Sequence, residues 1–229
     1  MLLIIIFVRF IVNLILISKI FIDEMKFYLQ VSVTIKIIHI SEVLLMPIQE
    51  MLAHNKRFVE QKQYIRYETD SFPNKKMVVL TCMESRLVEL LPRALNIQNG
   101  DVKMLKNAGA VINRPFGNIM KSILIAIHNL RAEHVVVIGH HDCGMTKIKP
   151  NEFIQNMYKN GIKEETVAFL ERSGISIEEE FRGFKTVEQS IQQSVSIIKN
   201  HPLLPKYVNV YGLVMDPATG KVTLLSHRD

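Results

Sequence analysis

The chain has 229 residues, 48% of them hydrophobic and 22% charged, which suits one domain with a sizeable core. Its net charge of +6 invites a nucleic-acid partner. The lysines and arginines are scattered, however, and no stretch interleaves them with aromatics, so no nucleic-acid surface is read. Two cysteines, Cys82 and Cys143, are too few for a disulfide-stapled secreted domain and read better as metal-binding or catalytic residues.

Residues 1–45 differ in character from the rest of the chain. Met1 to Ile22 is almost entirely Leu, Ile, Val and Phe, and a second apolar stretch spans Val31 to Ile40. The first run has the length of a membrane span, but Arg9, Asn13 and Lys19 interrupt it and no small-residue cleavage site comes after it. We read residues 1–45 first as an over-extended start, with a membrane anchor and a structural extension as the alternatives. A soluble, cytoplasmic domain is expected over residues 46–229.

From Ile48 to about Tyr67 apolar residues recur at helical spacing, as in an amphipathic arm. Phe72-Pro73-Asn74 breaks it. Met77 to Cys82 is a short apolar run of the kind a strand buried on both faces shows. A helix is predicted over Arg86–Leu95, a strand over Val102–Leu105 and a helix over Gly117–Leu130. Val135 to Ile138 is a second buried strand, ending at Gly139. Residues 151–184 read as short helices separated at Gly161 and Gly174. Thr186 to Gln189 has a capping-box pattern opening a helix to about Asn200, stopped by Pro202 and Pro205. Tyr207–Met215 and Val222–Leu225 are strands joined by the turn Asp216–Gly220. Strands alternating with helices predict an α/β fold in three layers, a central and mostly parallel β-sheet flanked by helices.

Reactive side chains sit where two buried strands end: Cys82-Met83-Glu84-Ser85-Arg86 after the first, and His140-His141-Asp142-Cys143-Gly144 after the second. The carboxyl ends of strands in such sheets are where ligands bind. Cys and His suit zinc, and His140-x-x-Cys143 lets one tight turn offer two ligands to a single ion. Three ligands, Cys82, His140 and Cys143, leave a fourth tetrahedral position open, as in catalytic zinc. Two thiolates donate more charge than imidazoles would, so water activated there is expected to react better on the alkaline side. A cysteine phosphatase needs five residues between Cys and Arg, whereas Cys82 and Arg86 are separated by three. A Cys82–Cys143 disulfide would leave His140 and Arg86 unexplained.

Cys82-x-Glu84-x-Arg86 with His140-x-x-Cys143-Gly144 resembles the beta-class carbonic anhydrases, and Asn107-Ala108-Gly109 resembles a segment those enzymes carry between the two motifs. The resemblance extends over roughly Met46–Leu225 and is nearest the short forms of Gram-positive bacteria. It implies zinc-dependent, reversible hydration of carbon dioxide to bicarbonate and a proton through zinc-bound hydroxide. It implies Glu84 and Arg86 as catalytic residues, active sites near a subunit interface, and a homodimer or higher even-numbered assembly onto which the Ile48–Tyr67 arm packs. Where the family has Asp, this chain has Glu84. One added methylene displaces a carboxylate by about 1 Å, a shift that can cost on the order of 100-fold in rate. Two alternatives therefore stand beside the main reading: a zinc hydrolase of carbonyl sulfide or carbon disulfide, and a non-catalytic zinc- or bicarbonate-binding regulator. His141 is read as a solvated neighbour; Asp142 is read either as orienting the turn and the ligands beside it or as a plain turn residue; the other histidines are read as structural or exposed.

Overall fold

A computed structural model describes residues 47–226 and, before them, Lys26 and Gln30. The readings of residues 1–45 therefore fall, apart from those two positions, outside the described residues, as does His227. Among the described residues no helix is long and apolar enough to cross a membrane.

The described chain forms two compact units, one ending at Glu68 and one beginning at Thr69. The first holds helix α1, residues 47–60, and a 3-10 turn, Gln63–Tyr67. A single helix was expected here. The helix ends because Lys62 takes a left-handed conformation (φ 55°), which no continuing helix tolerates. Phe58 and Tyr67 meet with ring centroids 6.1 Å apart, while Ile48, Met51, Leu52 and Val59 stay exposed.

The second unit runs β1 (Met77–Cys82), α2 (Leu87–Ala94), β2 (Val102–Asn107), α3 (Asn118–His128), β3 (His134–His140), α4 (Pro150–Lys159), α5 (Glu164–Arg172), α6 (Ile177–Glu180), α7 (Val187–Lys199), β4 (Asn209–Met215) and β5 (Val222–Ser226). The sheet order is β2-β1-β3-β4-β5; the first four strands are parallel and β5 is antiparallel to β4. This is the mostly parallel sheet the alternation predicts. β1 and β3 are continuous apolar runs because they lie inside the sheet: Val78, Val79, Leu80, Val135, Val137 and Ile138 have no or almost no exposure.

On one face α7 packs directly on the strands. Gly139 and Gly212 leave the room for it, since a Cβ at either would stand within 3.0 Å of Ile191. Thr186 caps α7 by accepting from the Gln189 amide (3.3 Å), as the sequence pattern predicts. On the other face Val79, Val136, Ile138 and Leu213, with Leu95 and Ile97 after α2, line an apolar cavity of about 300 Å³. The register sets Cys82 beside Asn107 and Thr81 beside Ile138, so the ends of β1, β2 and β3 come out at one edge.

Candidate metal centre

Cys82 is the last residue of β1 and His140 the last of β3; Cys143 comes one tight turn later, with Asp142 in the left-handed region (φ 56°) to close that turn. A buried parallel pair of strands thus carries two donors to one place, and the turn folds the third back onto them. The sulfurs of Cys82 and Cys143 and a ring nitrogen of His140 all lie within 4.8 Å of one another. All three residues are buried. The two sulfurs are 3.9 Å apart, nearly twice a disulfide bond length of about 2.05 Å, and both thiols are free.

The His140 ring is fixed through one of its two nitrogens. Its Nδ1 lies 2.8 Å from the His141 carbonyl, which can only accept, so Nδ1 carries the proton and Nε2 keeps its lone pair. Among the described residues, Nε2 is the one buried side-chain polar atom without a hydrogen-bond partner. An orphaned buried acceptor is costly unless something electropositive meets it. The Cys82 sulfur, foremost, raises the affinity of His140 for a proton against the opposing effect of burial. A cation at this point is favoured for the same reason. Cys82 is the acidic thiol of the pair: the Cys143 thiol hydrogen-bonds to it, with further help from His140 and the amides of Gly109 and Glu84, against the effect of burial. Cys143 is pushed up by the Cys82 sulfur and by burial. Two sulfurs and one imidazole nitrogen, dry and mutually within reach, are a donor set that fits zinc.

Glu84 and Arg86 stand beside this cluster. Glu84 Oε1 accepts from Arg86 Nε (3.0 Å) and from the Arg86 amide (3.3 Å), and Oε2 accepts from Arg86 Nη2 (3.2 Å). The longer side chain folds back over its own backbone to make this bidentate pair. Arg86 holds the Glu84 carboxyl at about 2, well below its usual value. Helix α2 begins immediately after Arg86.

The turn after β2 supplies a partner that sequence reading named only as part of a resemblance. The Gly109 amide donates to Cys82 Sγ (3.3 Å). Gly109 has φ 80°, and a Cβ there would stand 2.7 Å from Phe184 and 3.0 Å from Met145. Ala110 comes next, in the left-handed region (φ 55°), a conformation that costs an L-residue on the order of 1–2 kcal/mol. No side-chain pattern announces a backbone donor; the glycine within Asn107-Ala108-Gly109 was the available signal.

Among the described residues, the other histidines lie outside the donor cluster. His141 is half-exposed, with Nδ1 4.0 Å from Glu188, and stays outside the donor cluster. His201 is buried, bonded to the Pro115 carbonyl (2.9 Å) and covered by Phe116. His128 reaches the Leu203 carbonyl and His134 lies against Tyr211. Pro115-Phe116-Gly117 borders a separate, open cleft with Arg114 and Glu180, which are ion-paired.

The family model for carbonic anhydrase matches residues 77–222. A Bacillus subtilis protein named "Putative carbonic anhydrase YtiB" is 49% identical over 178 residues, 78% of this chain and 95% of that one. A carbon disulfide hydrolase of Acidianus sp. is 29% identical over 161 residues, 65% of this chain and 76% of that one. Among solved structures, beta-carbonic anhydrase isoform I of Trichomonas vaginalis is 28% identical with a TM-score of 0.70, covering 78% of this chain and 96% of that one.

Proposed function

The chain belongs to the beta-class carbonic anhydrases, zinc enzymes that hydrate carbon dioxide reversibly, and on that premise we propose that Cys82, His140 and Cys143 hold its zinc, with Glu84 and Arg86 completing the catalytic site. The observation that carries the assignment is the buried cluster itself, two thiol sulfurs and an imidazole nitrogen within 4.8 Å, with His140 Nε2 lacking a partner outside it. When bound, zinc supplies a Lewis acid that makes a water molecule nucleophilic, less readily here than among three imidazoles because two thiolates already neutralise the ion. Cys82, His140 and Cys143 would hold the ion by three protein donors, which would leave it accessible to the reacting molecule. Arg86 holds the Glu84 carboxylate ionised and fixed, so that its free lone pairs accept a hydrogen bond from the nucleophile and orient it.

The exposed apolar residues of α1, Ile48, Met51, Leu52 and Val59, support a homodimer or higher even-numbered assembly, since such a surface is seldom left to water. Two free cysteines used as ligands support a cytoplasmic setting. Carbon dioxide is preferred to carbon disulfide as substrate because YtiB, the more similar of these two relatives, is named for carbonic anhydrase chemistry.

The test joins metal content to carbon dioxide hydration by stopped flow between about pH 7 and 9. One zinc per chain with activity rising toward alkaline pH, both lost in Cys143→Ala, is the expected result. Zinc without hydration of carbon dioxide would overturn the assigned reaction, and no zinc would overturn the site.

A further inference from the structure

We propose that Asn107 is a positioning residue for the metal centre, clamping the turn that aims the Gly109 amide at the Cys82 sulfur. The proposal rests on the zinc reading and extends it to a residue that touches neither metal nor substrate.

Asn107 closes β2 and pairs in register with Cys82, and its carbonyl accepts from the Met83 amide (2.9 Å). The backbones that carry Asn107 and the sulfur ligand are therefore already stitched together. The Asn107 side chain then reaches across the next turn at both ends. Its Nδ2 donates to the Val111 carbonyl (2.7 Å), and its Oδ1 accepts from the Val111 amide (3.1 Å). This two-bond clamp spans Ala108 to Ala110, where Gly109 and Ala110 are both left-handed. Two successive residues in that region do not hold themselves. The clamp does, from inside the turn, and Ser194 of α7 supports it from outside, accepting from the Ile112 amide (3.0 Å).

The conformation so held points one backbone N–H at a ligand sulfur, 3.3 Å away. An N–H donated to a thiolate fixes the sulfur's position and draws electron density from it. Such outer partners orient the ligands and tune the metal, and losing one typically costs about 10- to 100-fold in affinity. Neither Asn107 nor Gly109 could be replaced freely. Aspartate at 107 keeps an acceptor for the Val111 amide but turns the Nδ2 donor into an oxygen facing the Val111 carbonyl. Any side chain at 109 meets Phe184 and Met145.

The experiment uses the full chain loaded with cadmium-113 or cobalt, comparing the native sequence with Asn107→Asp and Asn107→Ala. In the native protein the Gly109 amide proton should show scalar coupling to cadmium through the Cys82 sulfur. In Asn107→Asp, the more conservative change and the one to rely on should the alanine variant not fold, that coupling should weaken or vanish. The sulfur-to-cobalt charge-transfer band should move to lower energy, and zinc affinity should fall about 10- to 100-fold. A purely structural role would lower thermal stability and leave coupling and band energy where they are, and that result overturns the proposal. Absence of the coupling in the native protein, with metal bound, overturns it too. A native chain that takes up neither zinc nor cadmium fails earlier, at the zinc reading, and is thereby told apart.

Discussion

Gly139→Ala is the substitution whose effect can be worked most directly from the packing. Gly139 sits one residue before His140, under α7. A methyl group there would lie 2.6 Å from Val187 Cγ1, 2.9 Å from Ile191 Cγ1 and 3.0 Å from Ile191 Cδ1. Carbon atoms rest at about 3.5–4.0 Å, so α7 must retreat by roughly 1 Å or β3 must sink by as much. Neither neighbour has space to yield, because Val187 and Ile191 are themselves core residues. Overpacking of this kind costs about 1–3 kcal/mol. At about 2–4 °C per kcal/mol for a chain of this size, the melting temperature should fall by about 2 to 12 °C. Part of the displacement reaches His140, so turnover should fall as well. Thermal unfolding of the single variant and of Gly139→Ala/Val187→Ala provides the assay. Trimming Val187 removes the shortest of the three contacts, and the pair should show a favourable coupling of about 0.5–3 kcal/mol. An unchanged melting temperature in Gly139→Ala, or strictly additive losses in the double variant, would refute the packing argument.

The same structure sets four further outcomes. Glu84→Gln should keep stoichiometric zinc yet lose about 100-fold or more in kcat, because an amide cannot accept both Arg86 bonds and cannot carry the charge; metal analysis beside stopped flow checks it. The Glu84 carboxyl is depressed to about 2, so its contribution to stability is present above its ordinary value near 4.5 and lost as pH falls through about 2. The stability difference between the native chain and Glu84→Gln should therefore be flat from pH 6 to 9 and shrink only below about 4.5, as chemical denaturation across that range would show. Thr186→Ala should lower stability by about 1 kcal/mol by uncapping α7, with zinc content unchanged. Ile48→Glu combined with Leu52→Glu should shift sedimentation toward smaller species if α1 lies in a subunit interface.

Much of this fold was readable because its central strands are buried on both faces. Met77 to Cys82 and Val135 to Ile138 leave no polar alternation to misread, and each ends at or near a residue with chemistry. The candidate ligand trio was read from those ends. Less was readable where backbone conformation decides. Strand β2 continues through Lys106 to Asn107, two residues beyond its apolar stretch, because pairing with β1 rather than burial extends it. β4 starts at Asn209 instead of Tyr207, since Val208 still closes a turn onto the Pro205 carbonyl. The end of α1 before Lys62 depends on that one left-handed residue, with no glycine to mark it. The most consequential feature beyond sequence is the N–H of Gly109 on the Cys82 sulfur, which is a property of a turn. That Glu84 folds onto Arg86 through both carboxylate oxygens is likewise a matter of side-chain conformation, which the residue order alone does not show.

X-ray absorption at the zinc edge of the purified, active protein tests the central claim most directly. Cys82, Cys143 and His140 as ligands require two sulfurs at about 2.3 Å and nitrogen or oxygen at about 2.0–2.1 Å, four neighbours in all. In Cys143→Ala the sulfur shell should fall to a single atom or the zinc should be lost. A native spectrum with only nitrogen and oxygen neighbours, or one unchanged by Cys143→Ala, would contradict the account.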